Sequence, residues 1–205
     1  MPIAKGENWG EAGAFPSGAP ILGSDAEVAR TIERARGERR DRPVCGLTGG
    51  DLWRTLGAPP GGVDRLRSGT ATRAVVDVGW VRLDDRDLDH AFVAHCVART
   101  RLWSEVLAVM NAEWLGDWDV APKSHPGDGW LDVTDTELSW AERRKVRDRL
   151  PTGTHLPHPD VRTWRVHEAE FEFDRPRRLY VDGAPLSSAR RLEIRVEPAS
   201  LTVLV

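Results

Sequence analysis

From Leu192 to the end of the chain the side chains alternate so regularly that few folds can accommodate them. Leu192, Ile194 and Val196 are apolar, and Arg191, Glu193, Arg195 and Glu197 between them are charged. After Pro198, which reads as a turn, Leu201, Val203 and Val205 resume the alternation. A period of two places the two sets on opposite faces of an extended chain, so these segments are strands with one buried and one wet face. Other segments follow the same logic. Val76, Val78 and Trp80 alternate, Phe92–Val97 and Val106–Met110 read as buried strands, and Val44–Leu47 is short and apolar. Leu179 and Val181 lead into Asp182-Gly183, a hairpin signal. Between Val161 and Phe173 the apolar parity switches from Trp164 and Val166 to Ala169, Phe171 and Phe173, which predicts a β-bulge near His167–Glu168.

Helices are fewer. Ser24 with Glu27 has capping-box spacing ahead of Val28, Ile32 and Ala35, which share one face, and Gly37 suits the C-terminal end. Ser139 with Glu142 opens a second helix that runs to about Arg149 and carries five basic residues. That helix reads as a solvated face, with contact to anionic lipid headgroups as the alternative. The chain is a mainly antiparallel β domain with two short helices. Residues 1–23, with five Gly and three Pro, read as a flexible arm on which Trp9 and Phe15 can dock.

Composition narrows the function classes. Lys and Arg number 29 against 32 Asp and Glu, a formal charge of −3, so nucleic acid is not an expected partner. The longest apolar run, Val106–Met110, is far too short to span a bilayer as a helix. No secretory leader is expected after Lys5, and Cys45 and Cys96 form no CxxC pair, so the expected location is the cytoplasm. Nine tryptophans stand beside one tyrosine and four phenylalanines. Trp80, Trp103 and Trp164 fall on expected strands or their edges, where core packing is expected. Trp114, Trp118 and Trp130 flank the loop around Asp128, where they either wall a pocket or fill a gap.

Three features compete for chemistry. Thr48-Gly49-Gly50-Asp51 lies between a strand and a helix-like segment, where exposed backbone N–H groups can cradle a phosphate; the alternative is a tight turn with Asp51 as cap. Neither GxGxxG nor GxxxxGK[ST] is present. Asp128, in APKSHPGDGWLDV, is placed to act as a general base or simply to form a turn with Gly129. His155 and His158, with His125 in the preceding loop, lack a well-spaced further ligand, so capping roles are expected and no metal site is. No GxSxG elbow supports a serine nucleophile.

Taken in order, Met110–Val133, Leu179–Leu186 and Val196–Val205 resemble the C-terminal domain of the bacterial diacylglycerol kinase-like lipid kinases, a pattern shared with sphingosine kinases. Upstream, Val44–Gly57 (VCGLTGGDLWRTLG) resembles the family segment ending GTGNDFARTLG. The resemblance implies a mainly β (α+β) fold: an antiparallel β-sandwich-like C-terminal lobe with two or three short helices. It divides the chain into the arm at 1–23, a helix–strand–loop remnant of a nucleotide lobe at 24–57 and the β domain at 58–205. It also implies Asp128 as the base toward a lipid hydroxyl, Thr48, Gly49, Gly50 and Asp51 as a phosphate-loop remnant, and Asn111, Trp114, Trp118, His125 and Trp130 as pocket candidates. Departures are equally definite. No GGDGT loop occurs, only 43 residues precede Val44, the late turn reads Asp182-Gly183-Ala184 without the family's Glu, and 24 residues separate Val81 from Val106 where the family has a longer excursion.

The expectation is therefore a domain without catalysis of its own that binds a lipid, a metabolite or a partner protein and needs no cofactor. The first alternative is an ATP-dependent diacylglycerol or other lipid kinase, using ATP and Mg, alone or completed by a separate chain that carries a nucleotide lobe. The second is a structural interaction module. Membrane contact, in each case, is at most peripheral.

Overall fold

The computed structural model describes residues 10–42, 44–84 and 86–205, so the expectation for Trp9 lies outside the described residues. Strands β1 (Gly10–Gly13) and β2 (Ile21–Leu22) precede helix α1 (Asp25–Gly37). Then come β3 (Cys45–Leu47), α2 (Asp51–Thr55) and α3 (Gly62–Arg67), followed by β4 (Ala71–Leu83), β5 (Asp89–Phe92), β6 (His95–Arg99) and β7 (Glu105–Met110). A small hairpin, β8 (Trp114–Leu115) with β9 (Trp118–Asp119), leads to β10 (Leu131–Glu137), α4 (Trp140–Arg149) and a 3-10 turn at Leu150–Thr152. The chain closes with β11 (Val161–Val166), β12 (Glu168–Val181) and β13 (Ala184–Leu204).

The main sheet runs β1-β4-β13-β12-β6-β7-β10-β11, antiparallel throughout, with β5 beside β4 and a short parallel addition of β3 on β13 and β2 on β3. The predicted arm thus contributes two strands to the sheet, and Phe15 does dock, against Leu66, Ala71 and Leu204. One connection dictates the curvature. β11 pairs with β10, yet only His167 separates it in sequence from β12, which sits beside β6 with three strands between the two. A flat sheet cannot be spanned by one residue, so the sheet folds back on itself into a sandwich. The parity switch predicted as a bulge is this change of partner. The His167 carbonyl accepts from Val196 N–H at 2.8 Å, and its Nδ1 pairs with the Gly129 carbonyl at 2.6 Å.

The second departure lies in β13. The expected Pro198 turn is a bulge within one continuous strand, where the register to β4 slips between Glu197 and Leu201 and Ala199 takes φ 49°. That slip changes which face is buried. Leu192 and Ile194 face a core shared with Phe92, Leu107, Val133 and Leu179, whereas Leu201, Val203 and Val205 face a second core under α1. β4 switches parity in step: Val76, Val78 and Trp80 enter the α1 core, and Val81 and Leu83 enter the other. Gly79 sits at the changeover, where a Cβ would collide with the Phe92 ring stacked across it. Val28, Ala29 and Ile32 cover the first core, as the helical spacing requires.

Asp77 holds this changeover. It is fully buried, and its two carboxylate oxygens accept N–H groups from Ala199 in the bulge and Gly129 in the β9–β10 loop, both at 2.7 Å. Its own N–H donates to the Pro126 carbonyl at 2.6 Å. Burial raises its pKa against those two bonds. Replacing Asp77 with Ala strands two buried donors, so Asp77→Ala is expected to destabilise the fold by about 2–4 kcal/mol in chemical denaturation. A loss below about 1 kcal/mol would contradict this role.

The helix caps divide. At α4, Ser139 Oγ accepts Glu142 N–H at 3.3 Å, as the capping box predicts. At α1, Ser24 makes no side-chain cap, and Glu27 instead accepts from Gly23 N–H at 2.8 Å. Helix α2 falls on the helix-like segment that follows the Thr48–Asp51 loop, and only α3 is additional, because it is too short for an apolar period to register.

Candidate functional site

A cluster of ionisable groups gathers where α1, α2, the β5–β6 corner and the β12–β13 turn meet. Asp25, in the first turn of α1, is 5% exposed. Its carboxylate accepts Asp51 N–H at 2.5 Å and Leu52 N–H at 3.2 Å. These are the unpaired donors at the start of α2 that the sequence offers to a phosphate, so an internal carboxylate occupies the cradle. The two glycines allow that approach. Gly50 has φ +102°, and a Cβ there would lie 2.5 Å from Asp25 Oδ1; a Cβ on Gly49 would lie 2.6 Å from the Gly23 carbonyl oxygen. Thr48 Oγ1 donates to the Leu22 carbonyl at 3.3 Å.

Asp51 is not the cap of α2. Its side chain turns outward from the helix to meet His95 Nε2 at 2.9 Å and to accept Gly116 N–H at 2.9 Å, which ties α2 to the sheet and to the β8–β9 hairpin. His95 is 2% exposed. Burial alone would push its imidazole down, but the bond to Asp51 and the charges of Asp182, Asp51 and Asp25 hold it above the ordinary histidine value. Asp182 forms the predicted hairpin turn with Gly183, both with positive φ. Its carboxylate also accepts N–H groups from Val93, Ala94 and His95 at 2.9–3.0 Å. Burial raises Asp182 despite those bonds and the nearby His95. Sequence reasoning found Asp51 and the Asp182 turn. It missed Asp25 and His95, whose only signal is a polar residue next to an otherwise apolar stretch.

The Asp128 loop is a second, separate site. Asp128 Oδ1 accepts Trp130 N–H at 3.0 Å, an Asx turn, and Oδ2 pairs with Arg165. Arg165 also reaches Asp132 at 3.5 Å and lies 5.5 Å from the centre of the Trp130 ring. Trp130 stacks on His167 with ring centroids 3.5 Å apart. His125 Nδ1 accepts Gly127 N–H within its own turn. Asn111 is fully buried and donates to the Asp77 and Val93 carbonyls, so it braces the core.

The tryptophans expected together around Asp128 are dispersed. Trp114 stacks under Arg54 at 3.7 Å, and Trp118 meets Trp103 edge to face at 5.8 Å. Of the three expected on strands or their edges, Trp80 is buried, but Trp103 and Trp164 are more than a third exposed. His158 does cap, with Nδ1 accepting Asp160 N–H and Nε2 meeting Glu142 at 3.1 Å. Among the described residues no group of three or more His, Cys, Asp or Glu is placed to hold a metal ion.

A third feature is a cavity of about 750 Å³ between α4 and the strands β6, β7 and β10. Its walls include Val97, Val106, Ala108, Trp118 and Leu138, and His155 lies in its lining with its pKa lowered by burial. Arg101, Arg144 and Arg147 stand at the lining as well.

Asp25 makes the acid cluster measurable. Burial, first, and the Asp182 and Asp51 charges raise its pKa from 3.8 to about 7, against the two N–H bonds. Between these values the folded chain holds a proton that the unfolded chain has lost, so this group's contribution to stability falls as pH rises from about 4 to about 7, then levels. Urea midpoints of the parent chain minus those of Asp25→Asn are expected to decline across that window. A difference that stays flat or rises would refute the assignment.

Known proteins place this architecture. A family model described as the YegS C-terminal NAD kinase beta sandwich-like domain matches residues 90–205, over half of the chain. Among solved structures, two described as a putative diacylglycerol kinase from Bacillus anthracis str. Sterne superpose with TM-scores of 0.69 and 0.68, each at 14% identity over 90% of this chain and 76% of that chain. Another, described among diacylglycerol kinases of the same organism, gives 0.57 at 16% identity over 79% of this chain and 66% of that one. No curated protein matches significantly. The low identities carry the fold alone, but the family match agrees with the closing motifs, the Asp182-Gly183 turn and the folded-back sheet: the chain belongs to the family of the YegS C-terminal NAD kinase beta sandwich-like domain.

Proposed function

We propose that this diacylglycerol-kinase-like chain binds an amphipathic lipid and does not, by itself, transfer a phosphoryl group. The cavity between α4 and the sheet carries the reading. Its 750 Å³ falls inside the ~300–1,000 Å³ typical of small-molecule sites, its walls are mainly apolar, and arginines stand where an anionic headgroup would emerge. The carboxylates support the second half of the reading. Asp25, Asp51, Asp128 and Asp182 each have both oxygens engaged by donors or cations of this chain. These contacts give the carboxylates structural roles, whereas a general base must reach its substrate's proton.

A kinase that uses ATP and Mg, completed by another chain, is the competing proposal, favoured by the Thr48–Asp51 loop that still precedes a helix. A structural module that takes only a protein partner is the other. One experiment separates them. Titration of the chain with a short-chain, water-soluble phospholipid is expected to change tryptophan fluorescence through Trp103 and Trp118, and Ala108→Phe, which puts a ring into the cavity, is expected to diminish that change strongly. Radiolabelled phosphate transfer to diacylglycerol, sensitive to Asp128→Asn, would establish the kinase instead, and no response to any lipid would leave the structural module.

A further inference from the structure

We infer that the mouth of this cavity is a docking face for an anionic lipid bilayer; the inference rests on the lipid-binding reading, and the variants below separate the two. Exposed apolar side chains scattered singly are ordinary, but three gather here. Trp140, the first residue of α4, is 77% exposed; Leu102 and Trp103, at the β6–β7 turn, are 70% and 37% exposed. They belong to one surface, because the Arg143 guanidinium donates to the Leu102 carbonyl and lies 5.2 Å from the Trp140 ring centre. Ser104, just beyond the turn, accepts Leu138 N–H through its carbonyl at 2.8 Å and so joins the turn to the strand-to-helix junction.

Charge identifies the partner. Helix α4 carries five basic residues against two acidic ones, in a chain whose net charge is −3. Val146 alone among its residues is buried, so the helix spends its surface on solvent and not on the core. Arg144 and Arg147 are exposed and line the same cavity as Leu102, Trp103 and Trp140. Indole rings favour the boundary between headgroups and hydrocarbon, while arginines reach phosphates at that depth. An acidic protein surface would satisfy the arginines but leave Leu102 and Trp140 in water. A second copy of the chain would set these like-charged helices against each other.

The test uses the full chain and vesicles of phosphatidylcholine, with and without a minority of phosphatidylglycerol, at low and high salt. The chain is expected to co-sediment with the anionic vesicles, and high salt should release it. Reversing two exposed charges, Arg144→Glu with Arg147→Glu, is expected to weaken binding about tenfold or more. Leu102→Ser with Trp140→Ser should weaken it even at low salt. All four positions are exposed, and circular dichroism checks that the variants fold. Equal binding to neutral and anionic vesicles, undiminished binding after charge reversal, or self-association through this face with no vesicle binding would each overturn the inference. The Ala108→Phe chain, with its narrowed cavity, is expected to keep vesicle docking while its short-chain lipid response falls. Docking without any lipid response in the parent chain would leave this inference standing and remove the lipid-binding reading.

Discussion

Two cores and the loop that carries the family motif converge on one buried carboxylate. Asp77 sits in mid-strand, where an ion is costly, and it is tolerated because both oxygens find N–H partners. One partner lies in the β13 bulge and the other in the Asp128 loop, so a single side chain sets where β13 changes face and where that loop rests. The consequences spread outward. With β13 switching faces, its first half can bury Leu192 and Ile194 between the sandwich layers while its second half buries Leu201 and Val203 beneath α1. β4 must then change parity beside it, which needs a residue as small as Gly79 to let Phe92 cross. A strand pair that serves two cores is more constraining than either core alone, because a slip of one residue would expose both.

The sequence was most readable where burial follows a simple period. The alternation in β4 and β13, the face of α1 and the Asp182-Gly183 hairpin are all legible, because each depends on near neighbours. What failed to show was set by distant partners. Asp77 looks like any polar residue on the wet face of a strand; its role depends on Gly129 and Ala199, far away along the chain. Asp25 looks like an ordinary acid in a first helical turn. Even Gly49-Gly50, the plainest local motif, has a meaning fixed by Gly23 and Asp25 across the interface. The exposed Trp103 and Trp164 show the same limit from the other side. Strand parity assigns a face, and only the layering of the sheet decides whether that face is covered.

The candidate sites share a chemical style. Carboxylates at Asp25, Asp51, Asp77, Asp128 and Asp182 act as fasteners for backbone N–H groups or cations, and each bridges segments or closes a turn. Such groups rigidify the chain and leave the acid-rich side preorganised around itself. The cavity under α4 is the reverse, with apolar walls, arginines at the edge and indoles facing solvent. Fastening is thus the work of the acids, and the proposed ligand capture is left to the apolar cavity on another part of the same sandwich.

The Asp25 carboxylate at the start of α2 also changes how that loop would meet an outside anion. It is a ligand carried on the same chain, attached a few ångströms from the two N–H groups it occupies. A tethered competitor acts at an effective concentration of roughly millimolar or higher, whatever the concentration of free phosphate. An incoming phosphate would therefore have to displace a resident, and above about pH 7, where that resident is ionised, its charge would add repulsion. The loop that most resembles a nucleotide cradle is thereby filled from within, by the first turn of α1.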